Sequence, residues 1–126
     1  MTVARLKRLA DSIIRFGLQY PGAYEDSPWD HRALKVQKKL FVIMSGEVDR
    51  KTGFTLTVKL PHSGESALSF PFAEPCRYGM GKYGWVTIRI SPGDQTPKEL
   101  FQEWIDESYR AIAPKKLVAQ LDEVGD

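Results

Sequence analysis

Residues 54–60, Phe-Thr-Leu-Thr-Val-Lys-Leu, alternate apolar and polar side chains at every step, and no other stretch constrains the fold as strongly. Successive side chains of a strand point to opposite faces, so Phe54, Leu56, Val58 and Leu60 share one face and Thr55, Thr57 and Lys59 the other. Residues 85–90 repeat the pattern, with Val86, Ile88 and Ile90 set against Trp85, Thr87 and Arg89. Strands of this kind bury a single face. Two long helices are enough to cover it. Residues 33–37 and 39–44 supply two more strand-like segments, and a loop over 45–53 has Gly46 and Gly53 as its turn residues.

Helices at both ends provide the cover. In residues 3–19, Val3, Leu6, Ala10, Ile13 and Gly17 recur at helical spacing with Leu9 and Phe16 beside them, and Arg5, Arg8, Ser12, Arg15 and Gln19 form a polar stripe. Pro21-Gly22 ends that helix. Near the other end, Thr96-Pro97-Lys98-Glu99 has the order of a capping box, a hydroxyl at the cap and a glutamate three residues on. Leu100, Phe101, Trp104, Ile105, Ser108 and Ile112 then make a buried face until Ala113-Pro114. A short helix is expected within 63–70, and another turn or two over 115–121. The expectation is one α+β domain over residues 1–126, a two-layer sandwich. Its antiparallel sheet of about five strands carries the N-terminal and C-terminal helices on one face and leaves the other open.

Composition bounds the class. A chain of 126 residues has room for one core, and 42% hydrophobic with 27% charged residues excludes wholesale disorder, a collagenous repeat and a coiled coil. The longest apolar run, residues 40–44, falls far short of the ~20 a membrane span needs. The N-terminus mixes charged and apolar residues, so no signal peptide is expected. The single cysteine, Cys76, and the lack of asparagine suit a cytoplasmic protein without internal disulfides or N-glycans.

The net charge of +2 conceals an asymmetry. Residues 31–93 hold ten basic residues against four acidic, and residues 94–126 four basic against eight acidic. A cationic middle invites an anionic partner, whereas plain scatter of solvated charge would carry no function.

Chemical motifs are sparse. Residues 79–84, Gly-Met-Gly-Lys-Tyr-Gly, spell G-x-G-x-x-G, but a dinucleotide site needs a strand before it and a helix after it, and here a strand follows. The segment reads instead as a loop presenting Arg77, Lys82 and backbone N–H groups. Glu25, Asp26, Asp30 and His31 form the one dense acid and histidine cluster. With His62 in a separate loop, it lacks the spacing of a metal site, and holding a loop is the favoured role. Cys76 has no histidine at a recognisable spacing, and Ser63, Ser66 and Ser69 near His62 lack a nucleophile elbow. No catalytic residue, cofactor or metal is therefore expected.

Several segments together resemble the MmcQ/YjbR family. They are residues 21–29 (PGAYEDSPW), Lys39-Leu40-Phe41 before a strand, Lys82-x-x-Trp85-Val86 opening a late strand, Glu107-Ser108-Tyr109-Arg110, and Ala113-Pro114-Lys115-Lys116-Leu117. They run in the expected order over nearly the whole chain, which departs from the commoner pattern at Asp30-His31 and in the glycine-rich run before Trp85. The resemblance implies a frataxin-like fold and a DNA-binding label, carried by likeness to the double-wing sheet of phage transcription factors. Frataxins bind iron along an acidic ridge, whereas the first helix here bears a basic stripe, so their iron chemistry is not expected.

The leading expectation is DNA binding with weak sequence preference through the open face of the sheet. Lys39, Lys59 and Arg89 would meet phosphates from the strands and Arg77 and Lys82 from the loop, with threonine hydroxyls between; Trp85 is either an exposed stacking surface or a ring that covers the sheet edge or packs under the loop over 79–84. The rival is a protein-interaction or small-ligand module with a cleft near Trp29, His31 and Tyr83.

Overall fold

The protein is described by a computed structural model covering residues 3–27, 31–45, 48–77, 80–92 and 98–124. In chain order its elements are helix α1 (Val3–Leu18), strands β1 (Ala23–Glu25), β2 (His31–Val36), β3 (Lys39–Ser45) and β4 (Phe54–Lys59), helix α2 (Gly64–Leu68), strand β5 (Ala73–Pro75), a 3-10 turn (Gly81–Tyr83), strand β6 (Trp85–Ile90), and helices α3 (Lys98–Ile112) and α4 (Lys115–Val124). The strands form a six-stranded antiparallel sheet in the order β1-β2-β3-β4-β6-β5.

The expected α+β architecture is present, with the helices against one face of an open sheet. Leu34, Val36, Phe41, Val42, Met44, Leu56, Val58, Ile88 and Ile90 from the strands join Leu6, Ala10, Ile13 and Ile14 of α1 and Phe101, Trp104, Ile105 and Tyr109 of α3 in a single buried cluster. Leu117, Val118 and Leu121 of α4 pack on the same side. Among the described residues no helix is long and apolar enough to cross a membrane. Two strands have no alternation to announce them. β1 and β5 are three-residue edges, one followed by Asp26-Ser27 and the other ending in Pro75, whose missing N–H suits an edge. The capping residues Thr96 and Pro97 lie outside the described residues.

Two devices fix the strand ends. Gly53, at φ 81°, turns the chain into β4, and a Cβ there would run into the backbone carbonyl of Ile90. Asp49 accepts the backbone N–H groups of Lys51 and Thr52 to close the same turn. Between β2 and β3 the register slips by a bulge at Leu34/Lys35, so that Phe41 and Val42 are both fully buried.

The last long helix is tied to the sheet by consecutive residues. Glu107 accepts from the backbone N–H groups of His62 and Ser63 at 2.9 Å each and from Ser63 Oγ at 2.6 Å. Ser108 Oγ accepts from Lys59 N and donates to the Phe41 carbonyl. Tyr109 Oη donates to the Pro21 carbonyl, and Arg110 pairs with Asp106 and Asp122. Three of the five segments that carried the family resemblance are therefore joined, through Ser108 to Phe41 and Tyr109 to Pro21, and serve the fold.

Candidate nucleic-acid interface

The face turned away from the helices is set by register. Directly opposed residues share a face, and one row crosses five strands, Ala33–Ile43–Thr57–Thr87–Glu74. Two residues to one side lie Lys59 and its partner Trp85, and two residues to the other lie Thr55 and its partner Arg89. Lys59 and Arg89 thus stand at opposite ends of one face, four residues apart along the strands, roughly 13 Å at the usual rise. Arg89 is exposed and Lys59 half-buried. Lys35 shares the face but is held by Asp26 at 2.7 Å.

Three expectations need correction. Trp85 does lie on the outer face, yet it is 9% exposed and offers no free ring to a base. Alternation decides which side a residue takes, not what its neighbours cover. Thr57 is likewise buried, its hydroxyl 3.0 Å from that of Thr87, so the threonine row satisfies itself more than it greets solvent. Lys39 is exposed but lies opposite Val36, whose side chain is in the core, because the bulge shifts the alternation by one residue. It therefore belongs to the helix side of the β2–β3 hairpin and not to the face of Lys59 and Arg89.

Loop cations gather at the Lys59 end. Exposed Arg77 follows β5, and exposed Lys82 rides the 3-10 turn that precedes β6. The segment is pinned by Cys76 N–H to the Trp85 carbonyl, by Gly81 N–H to the Cys76 carbonyl, and by Leu60 N–H to the Gly84 carbonyl. A strand follows this glycine-rich run, so it is no dinucleotide cradle. Tyr78 and Gly79 lie outside the described residues.

The acid cluster resolves into ion pairs. Arg32 meets Asp11 of α1 at 2.8 Å and Glu25 of β1 at 3.0 Å, and Ser27 Oγ donates to Glu25. The Arg32 hydrogen bond is the main reason the Glu25 carboxyl sits below its ordinary pKa. Glu25 and Asp26 thus hold β1 to β2 and α1. Asp30 and Trp29 lie outside the described residues. Among those described, no group of three or more His, Cys, Asp or Glu side chains is placed to hold a metal ion.

The rival cleft does not assemble. His31 begins β2 opposite Ser45, which neighbours Thr55 at the Arg89 end, whereas Tyr83 sits beside Trp85 at the Lys59 end. A different concavity, of about 580 Å³, opens at that end between α2 and the 3-10 turn. Sequence reasoning passed over it because its lining joins residues 60–68, Pro75 and residues 81–86, which only the fold brings together.

Comparison with known proteins adds the following. A family model described as YjbR matches residues 18–111. A Deinococcus radiodurans protein with a DUF419 domain is similar in structure with a TM-score of 0.64 and 22% identity, over 79% of this chain and 75% of that one. A Pseudomonas syringae protein is similar with a TM-score of 0.60 and 20% identity, over 80% of this chain and 96% of that one. Identities this low speak for the fold alone. A search of curated proteins finds no match.

Proposed function

The chain belongs to the YjbR family, and from that premise we propose that it binds duplex DNA through the outer face of its sheet, with little sequence preference. Lys59 and Arg89 meet phosphates from the strands, and Arg77 and Lys82 meet them from the adjoining loop. One observation carries the reading. Ion pairs among the described residues engage Asp11, Glu25, Asp26, Asp106 and Asp122 with Arg32, Lys35 and Arg110, and leave these four cations without a carboxylate partner among those residues. Unpaired cations on a surface can release counterions from a phosphate backbone without first breaking an internal bond. The roughly 13 Å between Lys59 and Arg89 compares with a B-DNA major groove of about 12 Å, so the pair suits phosphates on its two rims. Among the described residues nothing on this face is shaped to read base edges: Thr57 is buried, and Glu74, at the β5 end of the row, repels phosphate. On this reading the protein is a cytoplasmic binding module and not an enzyme.

Fluorescence anisotropy on two unrelated duplexes over a range of salt tests it. Wild type should bind both alike, with affinity falling steeply as salt rises. Lys59→Ala and Arg89→Ala should each reduce the slope of log affinity against log salt by about one unit on both duplexes. Absence of binding at ~50 mM salt, where electrostatic attachment is strong, would overturn the reading.

A further inference from the structure

We infer that the cleft beside Tyr83 is a stacking site for an unpaired nucleobase, so that the protein favours single-stranded or frayed DNA over closed duplex. The inference rests on the DNA reading above and sharpens its partner. Tyr83 is 64% exposed, where the other exposed large apolar side chains among the described residues lie between 38% and 40%. Its exposure is built, not incidental. Tyr83 N–H donates to the Met80 carbonyl at 3.0 Å and Gly84 N–H to Gly81 at 3.1 Å, and Gly84 at φ 88° turns the chain directly into β6. The ring is thus presented on a short, internally bonded turn anchored at both ends.

Its surroundings suit a nucleotide. The cleft of about 580 Å³ falls within the usual range of small-molecule sites, and Pro61, His62, Glu65, Leu68 and Trp85 line it together with Tyr83. Lys82 Nζ sits over one face of the Tyr83 ring, 5.2 Å from its centroid, so a base stacks on the opposite face and finds a cation across the ring from it. Lys59, opposite Trp85 in the register, continues the positive track along the strand. A duplex cannot use this arrangement, because its base faces are stacked on one another. An unpaired base has a free π-face, and stacking one on an aromatic side chain stabilises binding without regard to sequence.

The test compares an oligothymidylate of about twelve nucleotides, a duplex of the same length and thymidine monophosphate, by anisotropy and competition at fixed salt. Wild type should prefer the single strand. Tyr83→Ala should weaken single-strand binding about fivefold or more and leave duplex binding within about twofold, and Tyr83→Phe should behave as wild type. Thermal melting of both variants checks the fold. Equal loss on both DNA forms, no loss on either, or a mononucleotide that binds as tightly as the oligomer would overturn the inference. Duplex binding that persists with its salt dependence while Tyr83→Ala changes nothing removes this inference alone. Failure of wild type to bind either form removes the DNA reading with it.

Discussion

A glutamate that accepts three hydrogen bonds is a stronger tie than its exposure suggests. Burial opposes ionisation of Glu107, but the Ser63 hydroxyl and the backbone N–H groups of Ser63 and His62 outweigh it and hold the carboxyl below its ordinary pKa. A carboxyl whose folded-state pKa is lowered stabilises the fold in full above its unfolded value. That contribution is lost as pH falls through the lowered value. Glu107→Gln keeps the shape but cannot accept at both oxygens. The variant should therefore be less stable than wild type at neutral pH, and the gap should narrow at acidic pH as the wild-type carboxyl protonates. Urea midpoints at the two pH values measure this, and a gap that stays constant would show that the charge is irrelevant to the tie. Ser108 and Tyr109 next to it work without charge, one bridging β4 to β3 and the other reaching the turn after α1. The sequence showed this tetrad as part of a resemblance. It could not show that its atoms reach Phe41, Lys59, Ser63 and Pro21, since those partners are distant in the chain.

At the level of elements, the β2–β3 hairpin departs from what its sequence suggests. Gln37 and Lys38 have φ of 48° and 69°, both left-handed, which is the pattern of a type I′ turn. Such turns favour Asn-Gly, because a left-handed backbone costs an ordinary side chain about 1–2 kcal/mol. Gln37→Asn with Lys38→Gly should therefore raise stability by about 1 kcal/mol, the relief of strain exceeding the added freedom of the unfolded glycine. Thermal unfolding reads the gain, and a lower midpoint would mean that the two side chains hold the turn by contacts outside the backbone. The same hairpin shows where reading from sequence stops. Strands β4 and β6 and helices α1 and α3 were legible because period-two and period-3.6 patterns express burial on one face. The bulge that carries Lys39 to the helix side leaves no such trace, since Phe41 and Val42 are apolar under either register. β1 and β5 were hidden because three residues are too few to show an alternating pattern. Trp85 shows a further limit, since alternation fixes its face but leaves open whether that face is covered, and the structure buries it.

For the whole molecule, the question is whether net charge or its placement governs binding. The helix layer carries exposed Arg8 and Arg15 on α1, and the sheet's outer face carries Lys59 and Arg89, so removing either pair changes the total charge equally. The two pairs lie on opposite sides of the core. The outer surface of α1 stands about a helix diameter, roughly 10–12 Å, beyond the sheet, at least the Debye length of ~10 Å at 0.1 M salt, so DNA on the sheet face feels charge there only weakly. Arg8→Ala with Arg15→Ala should leave duplex affinity within about twofold and the salt slope unchanged. Lys59→Ala with Arg89→Ala should flatten that slope by about two units. Glu103→Gln, on the exposed side of α3, serves as the opposite control and should leave affinity flat or raise it slightly. Anisotropy titrations of the three variants at matched salt make the comparison. Equal losses from the two double variants would mean that DNA responds to the protein as a point charge. The sheet face would then lose its claim to be the interface, whatever the affinity of wild type.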